Sequence, residues 1–174
     1  KTVAPMFTPT HLDQLAINIR KRSADCLDNL PKGEVFDWVD QVSIELTTQM
    51  LAVLFDFPWE DRRKLTRWSD VATALPKSGI YESEEQRLKE LGECADYFIG
   101  LWNERVNAPP KDDLISMMAH SDATRHMNRD ELLGNLILLI VGGNDTTRNT
   151  MTGSVYGLNQ YPDQYDKLNA DPSL

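Results

Sequence analysis

Asp145 and Thr146, an acid next to an alcohol, stand just beyond the most apolar run of the chain, residues 132–141. These two residue types give and take protons in enzymes. Placing them next to a segment that must be buried costs several kcal/mol unless they are hydrogen-bonded or used. The pattern therefore predicts a functional site at the end of this run.

The spacing of the residues around this pair defines two directions on a helix. Leu138, Gly142 and Thr146 follow each other at intervals of four residues and line one face, with Val141 beside them. Asp145 projects about 100° away from Thr146. The Thr146 hydroxyl can also hydrogen-bond the carbonyl of Gly142, which bends a helix and leaves a polar notch. A small molecule or water could enter that notch.

Two explanations of the glycine pair Gly142-Gly143 remain open on spacing alone. Each glycine costs a helix interior roughly 1 kcal/mol relative to alanine, so the pair needs a physical reason. One reason is the close approach of a flat ligand. The other is tight packing against a neighbouring helix, with Asp145 paired to a basic residue elsewhere.

The elements that must position these residues are predicted to be helices. Asn128 and Glu131 form a capping-box pattern, so a helix of about 45 Å is expected from residue 129 to residue 159. Strand patterns are nearly absent, and the chain is predicted to be all-α. The other helices are predicted over residues 11–28, 34–56, 59–75, 84–108, 112–120 and 162–169.

Composition excludes several classes of function. The 174 residues fit one domain or a piece of one, and a net charge of −9 argues against a nucleic-acid partner. Cys26 and Cys94 lack the spacing of a metal or disulfide site. No apolar run reaches the roughly 20 residues that span a bilayer, and no signal peptide is recognised, so we expect a cytoplasmic location.

Two local motifs are expected to carry no function. His120 and His126 flank Asp122, but no third firm ligand is nearby, so no metal site is expected. Asn144 opens an Asn-Asp-Thr glycosylation pattern, yet it adjoins the apolar run in a chain without a secretion signal. We therefore expect neither a metal ion nor a glycan.

The string Gly142-Gly143-Asn144-Asp145-Thr146-Thr147 resembles the oxygen-activation motif of the cytochrome P450 superfamily. Further segments resemble that family in the same order along the chain. They are Met6-Phe7-Thr8-Pro9 after helix C, Phe57–Asp61 between helices E and F, Asp112–Ile115 at helix H, Tyr161–Leu168 at helix J, and Asp171–Leu174 after it. The resemblance implies the helical portion of the P450 fold, from helix D to helix J, with the central I helix at residues 129–159. Residues 142–149 together with residues 6–9 are most similar to bacterial alkane and fatty-acid terminal hydroxylases.

The resemblance also implies a role for each residue of the predicted site. Asp145 and Thr146 match the catalytic acid–alcohol pair that delivers protons while dioxygen is cleaved. Gly142, Gly143 and Thr146 match positions that lie against haem b, the iron-protoporphyrin IX cofactor. Leu138 and Val141 would form part of an apolar substrate wall, and the loop flanked by Leu75 and Ile80 matches the region that covers the substrate channel.

Family members bind the haem iron through a cysteine in a Phe-x-x-Gly-x-x-x-Cys-x-Gly loop, and neither Cys26 nor Cys94 has those neighbours. We therefore expect residues 1–174 to be a single partial domain, an internal fragment of a larger haem-thiolate monooxygenase and inactive alone. The implied partners are O2, an apolar substrate, a ferredoxin and its NAD(P)H-dependent reductase. The alternative is a haem-free helical module that binds a small ligand or regulates a partner.

Overall fold

The computed structural model describes residues 2–171 and residue 173. Residues 172 and 174, part of the segment that resembles the region after helix J, lie outside the described residues. Where the chain is described it contains no β-strand, which confirms the all-α prediction. The α-helices are α1 Pro9–Asp28, α2 Glu45–Phe55, α3 Arg63–Thr73, α4 Glu84–Val106, α5 Leu114–His120, α6 Arg129–Gln160 and α7 Pro162–Ala170.

The longest helix, α6, begins at the predicted capping box. The Asn128 side chain accepts hydrogen bonds from the backbone N–H groups of Asp130 and Glu131, and the Glu131 carboxylate accepts one from the Asn128 N–H. These reciprocal bonds satisfy N–H groups that the first turn of a helix leaves unpaired. Because α6 then contacts α2, α3 and α4, it forms the centre of the helical assembly.

The second helical segment begins later than its pattern predicts. Residues 34–37 are not helical, and Val35 is fully exposed, so the predicted start at residue 34 is wrong. The Asp37 side chain accepts a hydrogen bond from the Asp40 N–H, which places the helix start after this capping residue. A π-helical segment, Val39–Ile44, then leads directly into α2.

An aromatic cluster fills the space between α2, α3 and α4. Phe55 and Phe98 meet edge to face with ring centroids 5.6 Å apart, and Phe57 stacks on Tyr97 at 4.9 Å. Trp68 contacts the same group from α3. Such pairs add stabilisation beyond the area that they bury, so this cluster holds α3 firmly beside α2 and α4.

The apolar run of α6 is buried along one side only. Leu132, Leu136 and Ile140 lie in the core, whereas Leu138 is 72% exposed. The helix therefore presents one closed face to the core and one open face.

Among the described residues, no helix is both long enough and apolar enough to cross a membrane.

Candidate functional site

The open face of α6 contains the three residues whose spacing predicts a shared side. Leu138 and Thr146 are exposed, and a Cβ atom added to Gly142 would meet no heavy atom within 4 Å. The Thr146 hydroxyl donates to the Gly142 carbonyl oxygen at 3.3 Å, as the spacing predicts. This face is thus apolar at Leu138, flat at Gly142 and polar at Thr146.

The Cβ position of Gly143 faces a different side of α6 from that of Gly142. A Cβ atom on Gly143 would lie 2.7 Å from Cδ2 of Leu51, a buried residue of α2. Real Cβ atoms essentially never come so close to another heavy atom. The packing explanation therefore holds for Gly143, and its predicted contact with a cofactor stays a prediction.

Asp145 is paired with a basic residue on its own helix. Nη2 of Arg148 lies 2.8 Å from Oδ1 of Asp145, and the same nitrogen lies 2.9 Å from Oδ1 of Asp70 on α3. Asn149 Nδ2 reaches Oδ1 of Asp145 as well, at 3.3 Å. Burial disfavours the charge on Arg148, but the two carboxylates more than offset this and raise the pKa of its guanidinium. The Asp145 side chain, 35% exposed, is thus held on one oxygen while it remains accessible to solvent.

Asn144 is a buried structural residue of the motif. It is fully buried, and its Oδ1 accepts a hydrogen bond of 2.9 Å from the Thr47 hydroxyl on α2. Its position four residues from both Ile140 and Arg148 is the one signal in the sequence for this inward direction. Its amide nitrogen is enclosed and has no hydrogen-bond partner among the described residues.

The predicted substrate residues lie on or near the open face. Leu138 projects into solvent, and Val141 is half-buried at the edge of the same face. Leu75 is 75% exposed and lies beyond the end of α3, so the predicted extension of this helix to residue 75 is wrong. The helix ends at Thr73, where Ala74 is already extended, and Pro76 disfavours helical dihedrals at Leu75.

The histidines take part in local structure. Both ring nitrogens of His120 lie within 3.1 Å of backbone carbonyl oxygens, those of Ser116 and Ala108. Asp122 pairs with Arg125, whose Nε donates to His126. Within residues 2–171 and residue 173, no group of three or more His, Cys, Asp or Glu side chains could hold a metal ion.

The cysteines are also engaged in the fold. Cys94 is fully buried in the core, where burial raises the pKa of its thiol to about 12. The Cys26 thiol on α1 donates to the carbonyl oxygen of Gln41. Burial and the charge of Glu45 raise the pKa of Cys26 above its ordinary value. Both thiols are therefore neutral near pH 7 in this fold.

Comparisons with known proteins agree with the motif and the fold. Linalool 8-monooxygenase of Pseudomonas putida is 30% identical over 175 residues, which cover 100% of this chain and 43% of that protein. The solved structure of cytochrome P450-153 from Novosphingobium aromaticivorans is 53% identical with a TM-score of 0.86, covering 99% of this chain and 41% of that one. CYP153D17 from Sphingomonas sp. PAMC 26605 is 58% identical with a TM-score of 0.85, covering 99% and 43%. No protein-family profile matches the chain.

The helices arranged around a long central helix, with an acid–alcohol pair beside its open face, match the helical part of the P450 fold. The chain belongs to the cytochrome P450 superfamily. It spans about two fifths of the length of the relatives that it matches, 43% of the Pseudomonas enzyme. The predicted family and fold are therefore confirmed.

Proposed function

We propose that this chain supplies the proton-delivering side of the haem pocket in a monooxygenase. The complete enzyme would insert one oxygen atom of O2 into an unactivated C–H bond of an apolar substrate. The observation that carries the proposal is the open face of α6, where Leu138, Gly142 and Thr146 line up next to Asp145. Relatives named as P450s and as a monooxygenase favour this function over a haem-free ligand-binding module.

The residues of the open face fit a flat cofactor. Gly142 has open space where a side chain would stand, and Thr146 is exposed one turn further on. These two residues would lie against haem b, which would supply the iron at which O2 is activated. Gly143 would act indirectly, because its contact with Leu51 lets α6 approach α2 and so places Gly142.

The cysteine ligand of the iron would come from outside residues 1–174. Cys94 is enclosed in the core, and the Cys26 thiol is hydrogen-bonded to Gln41. Residues 1–174 would then form part of a single larger domain and would be inactive alone. A ferredoxin and its NAD(P)H-dependent reductase would supply the electrons.

The chain's own residues would carry protons in two steps. Asp145 has Oδ1 occupied by Arg148 and Asn149, so Oδ2 is the oxygen at which a proton from solvent would be held. The Thr146 hydroxyl is bonded to the Gly142 carbonyl at 3.3 Å, a long bond that it can exchange for another partner. Asp145 would act as the acid, and Thr146 would pass the proton on.

The substrate that we propose is an alkane or a fatty acid, hydroxylated at its terminal carbon. Leu138 and Val141 present an apolar wall beside Gly142, which suits a hydrocarbon chain. The loop after α3, with Leu75 exposed and Ile80 partly exposed, would cover the entrance. The similarity of residues 142–149 and 6–9 to terminal hydroxylases supports this finer assignment.

The decisive experiment compares Thr146→Ala with Thr150→Ala in the full-length, haem-loaded protein. Thr150 also donates to a carbonyl four residues back, that of Thr146, and is a matched control. We expect Thr146→Ala to bind substrate normally but to release hydrogen peroxide in place of product, whereas Thr150→Ala keeps product and cofactor oxidation matched. One product molecule per NAD(P)H in Thr146→Ala would contradict the role of Thr146.

A second comparison addresses the acid. Asp145→Asn should slow turnover by about one decade or more, because general acid catalysis typically contributes 10²–10⁴-fold. Asp163→Asn, which removes an exposed carboxylate paired with Lys167 on α7, should leave turnover unchanged. Equal turnover in the two variants would return Asp145 to a purely structural role.

A further inference from the structure

One guanidinium nitrogen joins two carboxylates at the contact between α3 and α6. Nη2 of Arg148 lies 2.8 Å from Oδ1 of Asp145 and 2.9 Å from Oδ1 of Asp70. The Arg148 side chain is only 14% exposed, whereas Asp70 and Asp145 are 28% and 35% exposed. The cluster therefore carries one positive charge between two negative charges, in a partly buried position where screening by water is reduced.

Because Arg148 shares one nitrogen between Asp70 and Asp145, its ion pair with Asp145 is weakened and its guanidinium is held towards α3. Residues three apart on a helix can pair without outside help, so Arg148 could bind Asp145 alone. Asp70 comes from another helix and draws the same nitrogen towards α3. Asp145 is left with a partner that is shared, and with Oδ2 free of hydrogen bonds among the described residues.

We propose that Asp70 is a positioning residue for Asp145, acting through Arg148. The inference rests on the proposed proton-delivering function of Asp145. Asp70 shares the Arg148 nitrogen with Asp145 and so weakens the Asp145–Arg148 ion pair, which lets the Asp145 carboxylate turn and exchange its proton. Neutralising Asp70 gives Arg148 to Asp145 alone, which strengthens that ion pair and slows proton transfer.

The same helix offers a matched control. Arg67 on α3 forms a two-pronged ion pair with Glu90 of α4, with bonds of 2.6 Å and 2.7 Å. Glu90→Gln therefore removes the carboxylate partner of an arginine on α3 without touching Arg148. Asp70→Glu is the conservative variant that keeps the charge.

The first test measures turnover of the full-length, haem-loaded variants in H2O and in D2O. We expect Asp70→Asn to lower kcat by about tenfold. KM should stay unchanged, and the solvent isotope effect on kcat should become larger. Asp70→Glu should recover most of the rate, and Glu90→Gln should match the unchanged protein. An isotope effect in Asp70→Asn no larger than in Glu90→Gln overturns the proposal, as does a loss confined to KM.

The second test does not depend on catalysis. Urea unfolding of the same full-length protein is followed for Asp70→Asn, Asp145→Asn and the double variant. Either single change leaves Arg148 with one carboxylate, but the double change leaves a mostly buried charge unpaired, so the double variant should lose more stability than the sum of the two. In an Arg148→Gln background the two changes should become additive.

The two tests separate the inference from the function on which it rests. Additive effects with Arg148 present would show that Asp70 and Asp145 do not share it, and this overturns the inference whatever Asp145 does. Full turnover by Asp145→Asn would instead remove the proposed function, and the role of Asp70 in proton delivery would fall with it even if the unfolding effects are coupled.

Discussion

Replacing each glycine of the pair in turn with alanine separates two roles that adjoin in the chain. Gly142→Ala adds a methyl group where no heavy atom lies within 4 Å. Because alanine in a helix interior is favoured over glycine by about 1 kcal/mol, we expect the haem-free fold to be stabilised by about that amount. Gly143→Ala brings the same gain in helix propensity, but its methyl group would lie 2.7 Å from the buried Leu51.

The magnitude of the Gly143→Ala effect follows from this contact. Inserting a methyl group into a packed core typically costs about 1–3 kcal/mol, because neighbours must leave their preferred rotamers. After the gain of about 1 kcal/mol in propensity, the net result is a loss of about 0–2 kcal/mol. In a Leu51→Ala background the space is free, so Gly143→Ala should become stabilising.

Urea unfolding of the full-length protein, followed by far-UV circular dichroism in haem-free and haem-loaded preparations, measures these differences. If Gly142 lies against haem, the gain from Gly142→Ala should vanish when haem is bound, and the Soret band should shift. Gly143→Ala should leave that band in place. Equal stabilisation by both variants with Leu51 present would refute the assignment of Gly143 to packing, and a Gly142→Ala gain that survives haem binding would refute that of Gly142.

Three further outcomes are expected from other parts of the fold. Asp56 follows the last residue of α2, has a left-handed φ of 45° and accepts a hydrogen bond from Arg105. Asp56→Ala should therefore lower the free energy of unfolding in urea by about 1–2 kcal/mol. Asp56→Gly should lower it by less than about 1 kcal/mol, because glycine adopts this conformation readily. Burial raises the pKa of Cys94 from 9.0 to about 12, so its neutral thiol stabilises the fold fully below pH 9 and this contribution is lost as the pH rises towards 12. Iodoacetamide at pH 8 should therefore modify Cys94 only after unfolding, and rapid labelling of the folded protein would contradict its burial. Asn128→Ala removes the cap of α6 and should destabilise the protein by about 1 kcal/mol in thermal unfolding, whereas an unchanged midpoint would show that the capping box contributes nothing.

Features that depend on near neighbours in the chain could be predicted from the sequence. The capping box at Asn128 and the helix end before Pro162 are local, because each is decided within one helical turn. The bond from Thr146 to the Gly142 carbonyl joins residues four apart, so the 3.6-residue repeat alone predicts it. The late start of the second helical segment could also have been predicted, because Asp37 is a residue type that favours the N-cap position of a helix.

Features that join different helices could not be predicted in this way. Periodicity does not tell Gly142 from Gly143, because the difference between them is the presence of Leu51 on α2. In the same way, periodicity does not specify that Thr47 on α2 is the partner of the inward-facing Asn144. A helical repeat specifies which residues share a face but not which element packs against it, and that depends on how all the helices assemble.

The acid–alcohol pair itself shows both contributions. The order of residue types in Gly142–Thr147 was sufficient to indicate proton chemistry and a family, since both are properties of the local string. Only the tertiary structure shows that Arg148 divides its charge between Asp145 and Asp70, because the carboxylate on α3 approaches α6 through the packing of the core. The sequence by itself determined which groups can react, and the packing of helices decided which charges hold them.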